Sequence, residues 1–296
     1  MPPPAGAVPR AFTAGDGLAI HGEAVGEGQP VVLCHGITAT RQSVIHGSRA
    51  LERAGHTVIA YDARGHGESD PAPPAEGYGY PALVSDLRSV VDTVAGGGRF
   101  LLAGHSMGAH TAIAYAQRHP ERLAGLVVIG PAYDGTISAE SLSYWDGLAA
   151  ALGQSGIDGF VSYVDRVQGI DPAWRDSVHR FTRERMLRHR HLDAVVAALR
   201  QVPRSRPFER LESLESIDVP TLVVASHDAA DPGHPYAVAA AYAEHLPRAR
   251  LISEGEGESP LAWQGGRLSR AIAEFAAGLR FPKGGSTSFP EDEAAG

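Results

Sequence analysis

Phe100-Leu101-Leu102-Ala103-Gly104-His105-Ser106-Met107-Gly108 is the stretch that decides the fold. Four apolar residues in a row, closed by a glycine, read as a short strand buried on both faces. The G-x-S-x-G that follows puts a serine on a sharp strand-to-helix turn, because residues 109–119 carry an amphipathic helical pattern. A serine there has its hydroxyl in the open and a helix N-terminus behind it. It becomes a nucleophile only if a neighbouring base takes its proton.

Working outward, similar apolar runs occur at residues 31–34, 58–61 and 126–129, and again at 221–225. Between them lie helical patterns: Leu83, Leu87, Val90, Val91 and Val94 form one apolar stripe suited to packing on a sheet. After Pro131 the strand rhythm stops, and residues 132–205 read as successive helices containing Tyr144, Trp145, Phe160, Tyr163 and Trp174. The spacing predicts a mostly parallel central sheet flanked by helices, with a helical lid inserted after the fourth clear strand. The expected core is residues 10–131 and 206–281, the lid 132–205, and residues 1–9 and 282–296 are expected to be disordered tails. In open α/β sheets the ligand sits at the carboxyl ends of the strands. The polar motifs fall there: His35-Gly36, the segment from Asp62, Ser106, and the pair Asp228 and Asp231.

Composition narrows the function classes. The 296 residues carry a formal net charge of −8 with 43% apolar residues, a globular composition without the basic footprint of a nucleic-acid binder. No apolar run approaches membrane-spanning length, and Met1-Pro2-Pro3-Pro4 lacks the basic and apolar regions of a signal peptide. Cys34 is the only cysteine, which excludes an intrachain disulfide and suits the cytoplasm. Neither a metal-ligand cluster nor a phosphate-cradling glycine loop is visible, so no metal or cofactor is expected. The expected partner is a small-molecule substrate, with neither nucleic acid nor membrane; no interface signature indicates an oligomeric state.

With these segments in order, the chain resembles the α/β-hydrolase family over residues 17–280. His35-Gly36 is similar to the family's oxyanion loop, and residues 62–69 match its D-x-R-G-x-G-x-S segment. Residues 104–108 match its nucleophile elbow, and Pro220-Thr221-Leu222-Val223-Val224 resembles the strand before its acid. The resemblance implies an α/β-hydrolase fold with Ser106 as nucleophile and the backbone N–H groups of Ile37 and Met107 as the oxyanion hole. His35 and His66 would shape their loops, and His105 would do no chemistry. Asp231-Pro232-Gly233-His234-Pro235 reproduces the family's D-P-x-x-P slightly late and makes Asp231 the favoured acid, with Asp228 and Asp134 as alternatives.

The family's histidine is missing. Relatives close the next strand with E-G-x-G-H-S-P, whereas this chain has Glu254-Gly255-Glu256-Gly257-Glu258-Ser259-Pro260, and no histidine follows His245. Three readings are open. Another histidine serves as base, His234 first because it lies three residues after Asp231, and His227 second. Alternatively, Glu258 is itself the acid/base, its pKa raised by burial under the lid. In the third, the pocket binds a ligand without chemistry. The expected activity is hydrolysis of an ester, thioester or lactone of a small, partly apolar substrate. Lyase, isomerase or cyclase chemistry through Glu258 is the alternative. Arg180, Arg183, Arg185, Arg188 and Arg190 read either as a solvated helix face or as a carboxylate or phosphate clamp.

Overall fold

Burial along the inner strands alternates residue by residue between two apolar layers, and this sets the architecture. In the computed structural model, which describes residues 6–73, 77–95, 97–227 and 231–281, Val32 and Cys34 face one layer while Val31 and Leu33 face the other. Phe100 and Leu102 likewise oppose Leu101 and Ala103, and Leu126 and Val128 oppose Val127 and Ile129. Period-two side chains with both faces covered demand helices above and below the sheet.

The strands are β1 (Val8–Thr13), β2 (Ala19–Val25), β3 (Gln29–Cys34), β4 (His56–Tyr61), β5 (Phe100–His105), β6 (Leu123–Ile129), β7 (Thr221–Val224) and β8 (Ala249–Ile252). They form one sheet in the order β1-β2-β4-β3-β5-β6-β7-β8. The pairs β1–β2 and β2–β4 are antiparallel, and every later pair is parallel. The helices are α1 (Ala50–Arg53), α2 (Tyr80–Ala95), α3 (Met107–Ala116), α4 (Ala139–Val167), α5 (Arg175–Met186), α6 (Leu192–Gln201), α7 (Tyr236–His245) and α8 (Gly265–Ala277). Leu87, Ala112 and Tyr242, from α2, α3 and α7, cover one face of the sheet, and Leu51, Leu268 and Ile272, from α1 and α8, cover the other.

The expected tail over residues 1–9 is corrected at its end: Val8 and Pro9 belong to β1, in register with Ala24 and Glu23. Residues 1–5 and 282–296 lie outside the described residues.

Helices α4, α5 and α6 form the insertion between β6 and β7. Their apolar faces, among them Leu148, Phe160, Met186 and Leu199, share one cluster with Ile37, Tyr80 and Met107 of the core. The insertion therefore packs across the carboxyl ends of the central strands. Within α4, Gly156 adopts φ 61°, ψ −156° and breaks the helix. No helix among the described residues is long and apolar enough to cross a membrane.

A buried ion pair fastens the loop after β4. Arg64 donates from Nε and Nη2 to the two carboxylate oxygens of Asp86 at 2.7 and 2.6 Å, and from Nη1 to the carbonyl of Gly77 at 3.0 Å. Burial pushes the Asp86 pKa up and the guanidinium pulls it back. Removing Asp86 takes away the buried partner of Arg64 and leaves it only the exposed carboxylate of Asp16, 2.9 Å from Nη1. Asp86→Ala should cost about 3 kcal/mol of stability, read as a lower urea midpoint at unchanged m-value.

Candidate active site

Ser106 sits between β5 and α3 with φ 54° and ψ −116°, a conformation that L-residues occupy at a cost and that surrounding structure must enforce. Its N–H donates to the carbonyl of Ile129 at 3.0 Å, and its carbonyl accepts from His110 N at 3.0 Å. The elbow needs glycine on both sides. A Cβ at Gly104 would strike the backbone of Gly108, and one at Gly108 would strike the carbonyl of Cys34.

An open cavity lies over the elbow, lined by Ser106, Ile37, Met107, Tyr80, His110 and Trp145, among others. The amides of Ile37 and Met107 make no hydrogen bond to any described residue, which leaves both donors for a ligand oxygen. The loop carrying Ile37 is braced from behind. His66 approaches the carbonyls of Ile37 and Arg64 at 2.8 and 2.9 Å, and His35 Nε2 accepts from Ala63 N at 2.9 Å. His35 and His66 are thus fixed in loop geometry, both buried.

One polar feature of the cavity has no sequence signature. His110 Nε2 accepts hydrogen bonds from the amides of Ala132 and Tyr133, each at 3.1 Å. Its proton therefore resides on Nδ1, which donates to Tyr80 Oη at 2.9 Å. Burial, then the neighbouring His234, drives the His110 pKa down to about 3, so the ring is neutral and the tautomer is locked. The Tyr80 hydroxyl, already an acceptor, keeps its own hydrogen to donate.

Beside the elbow, His234 Nδ1 lies 2.8 Å from Asp231 Oδ1. The His234 ring packs 5.0 Å, centroid to centroid, from that of His105 and lies against Gly130. A Cβ at Gly130 would come within 3.3 Å of His234 Cγ, and Gly130 also has φ 53°, so glycine is required twice over. Burial alone would lower the His234 pKa, but the charge and hydrogen bond of Asp231 outweigh it and hold it above 6.5. The same contact holds Asp231 below its ordinary 3.8 although burial works the other way. Asp231 is thus ionised and orients an imidazole whose Nε2 makes no hydrogen bond to any described residue.

The other candidates lie elsewhere. Asp134 is exposed and its Oδ1 closes its own turn, accepting from Thr136 N at 2.9 Å and Thr136 Oγ1 at 2.6 Å. Asp228 lies outside the described residues. His227 is exposed and stacks on Tyr236 at 3.8 Å. Glu258 does not have the buried environment expected of it. It is exposed, it pairs with Arg267 Nη1 at 2.5 Å, and this pairing with the amide of Gly255 lowers its pKa. A glutamate so placed has no elevated pKa with which to hold a proton near neutrality. Burial instead falls on Glu254, which accepts from Ser226 Oγ at 2.8 Å, His227 N at 2.5 Å and Leu261 N at 2.9 Å. Glu254 thus ties the loop after β8 to Ser226 and His227, which follow β7.

Residues 29–263 match the sequence profile of the alpha/beta hydrolase fold family. The chain belongs to this family. Among alpha/beta hydrolase relatives, epoxide hydrolase B of Mycobacterium tuberculosis is 37% identical over 109 residues, 37% of this chain and 30% of that protein. The match spans about a third of the length of that relative and of others like it. A 2-hydroxy-6-oxononadienedioate/2-hydroxy-6-oxononatrienedioate hydrolase of Pseudomonas putida is 29% identical over 217 residues, 70% of this chain and 74% of that one. A thermophilic esterase from Thermogutta terrifontis, solved with malate bound, superposes with a TM-score of 0.74 at 24% identity. That likeness, over 92% of this chain and 98% of the esterase, is one of alpha/beta hydrolase fold.

Proposed function

We propose that this protein is a serine hydrolase that cleaves an ester, thioester or lactone of a small, partly apolar substrate, with His234 as the proton carrier. The observation that carries the reading is the 2.8 Å contact between Asp231 and His234, set against Gly130 and His105 beside the elbow. Ser106 attacks the carbonyl carbon while His234 Nε2 accepts the hydroxyl proton, and Asp231 holds the resulting imidazolium. The amides of Ile37 and Met107 take the oxyanion of the tetrahedral intermediate. His234 then returns the proton to the leaving group, and a water repeats the sequence on the acyl-enzyme. Geometry and role define such a base, whatever its place in the chain. The hydrolase names of the longer-matching relatives support the reaction class.

The cavity supports the substrate class. Its lining suits a small, partly apolar molecule, with Ile37, Met107 and Trp145 as apolar wall and the Tyr80 hydroxyl as a polar mark. The helical insertion serves as its lid. A single, buried cysteine fits a cytoplasmic setting.

The test is the intact mass after treatment with a fluorophosphonate. Stoichiometric labelling, abolished in Ser106→Ala and strongly slowed in His234→Ala, is the expected result. Absence of labelling in folded protein would overturn the covalent mechanism.

A further inference from the structure

The five arginines between residues 180 and 190 do not share one role. Arg183 pairs with Asp158 at 2.5 Å, Arg188 donates to Gln42 at 3.0 Å, and Arg180 lies beside the Phe181 ring. Arg190 is exposed. Arg185 differs. It follows Val178 and Thr182 at helical spacing on the inner face of α5, next to the fully buried Met186. Its side chain makes no hydrogen bond or ion pair with any described residue, and its Nε is buried without a partner.

The groups that feel its charge locate it. Burial lowers the Arg185 pKa, and Asp231 and Tyr144 oppose that shift without reversing it. Arg185 in turn depresses His234, His105, His46 and His189. Asp231 is the only anion among these groups, and it is spent on His234. Among the other buried polar atoms without a hydrogen-bond partner in the described residues are Thr182 Oγ1, one turn earlier on α5, and His105 Nε2, next to Ser106, while Tyr115 Oη is one that lies elsewhere. A buried guanidinium nitrogen without a partner is costly, so Arg185, on the inner face of the insertion and within electrostatic reach of Asp231 and His234, is a place where a ligand would bring one.

We propose that Arg185 anchors a carboxylate of the substrate, so that the scissile bond belongs to a molecule bearing a second, anionic carboxyl group. This deepens the hydrolase reading and rests on it. The planar guanidinium offers a carboxylate two parallel donors. A monoanion suits the place better than a phosphate dianion, because Asp231 stands close by.

Binding and turnover test this separately. Isothermal titration of the full chain with the straight-chain series from acetate to adipate, and with glutaramide as the uncharged control, reads the anchor without chemistry. The expected result is that a dicarboxylate binds at least tenfold more tightly than glutaramide. Arg185→Gln abolishes that preference, and Arg185→Lys restores part of it. For turnover, the ratio of kcat/KM for the nitrophenyl monoester of glutarate over nitrophenyl pentanoate should fall at least tenfold in Arg185→Gln. The neutral ester should keep its rate near the optimum. Thermal unfolding adds a readout, since removing a half-buried, unpartnered charge should raise the Tm by a few degrees. No binding across the series, equal binding of glutarate and glutaramide, or a lowered Tm with both esters lost alike would overturn the proposal. Failure of fluorophosphonate labelling would remove the hydrolase reading while leaving the titration to judge Arg185.

Discussion

Replacing His234 by alanine should lower kcat/KM for a small activated ester by about 10⁴-fold, while Glu258→Gln should change it by less than about twofold. The contrast follows from what each side chain touches. His234 is held by Asp231 at 2.8 Å beside the elbow, whereas Glu258 is held outward by Arg267. Glu258→His should accordingly bring no large gain, because the position faces solvent. The proposed base, His234, must be neutral to accept a proton, and Asp231 outweighs burial and holds its pKa above 6.5. The acid limb of the rate profile should therefore fall above pH 6.5. Asp231→Asn removes the raising influence and moves that limb to lower pH as the plateau drops. Equal effects of the His234 and Glu258 substitutions would defeat this assignment of the base.

The second large effect is on stability in acid. His110 and His189 are buried and His105 is half-buried, and each is driven to a pKa of about 3, desolvation being the first cause in all three. Two of them also accept backbone hydrogen bonds that a proton would displace: His110 from Ala132 and Tyr133, and His189 from Gly67. In the unfolded chain the same rings titrate near their ordinary 6.5. Below that value the unfolded state binds more protons than the folded one, so stability falls as the pH falls. Three such groups correspond to about 4 kcal/mol lost per pH unit between roughly pH 6 and 5, a large part of a domain's total stability. Glu23, Asp62 and Asp86, whose pKa values burial raises, act in the opposite sense but closer to the carboxylate range. Urea midpoints at pH 7, 6 and 5 check this. A midpoint that does not move would mean that the rings are already charged in the folded protein.

The inner strands were legible because burial on both faces writes them as unbroken apolar runs; β3 to β7 all carry one. Strand β1 carries none. Its Val8-Pro9-Arg10-Ala11-Phe12-Thr13 buries only Phe12, since it sits at the antiparallel edge and one face meets solvent. The break in α4 was equally hidden, because Gly153, Gly156 and Gly159 look alike in sequence and only Gly156 takes a positive φ.

In the site, the elbow and its oxyanion amides are local features, and local motifs report them. What lies across the fold is not reported. The bond between Tyr80 and His110 joins residues thirty positions apart, and nothing in either neighbourhood announces it. The three glutamates at 254, 256 and 258 show the same limit. Its place at the histidine position of the family phrase made Glu258 the candidate, but the turn at Gly257, with φ 76°, leaves it exposed while Glu254 is buried. Arg185 was visible only as one arginine among five; helical phase from Val178 and Thr182 sets it apart.

Asp231 and His234 are three residues apart, joined additionally by the bond from His234 N to the Asp231 carbonyl at 3.2 Å. The family pattern draws acid and imidazole from two separate loops, so their alignment there depends on how β7 and β8 sit. Here both titrating groups travel on one short piece of backbone, like two letters on one key. The pair is therefore portable. Grafting residues 231–235 as a block onto another scaffold of this fold carries the aligned couple with it, and the stretch around position 258 is released to drift.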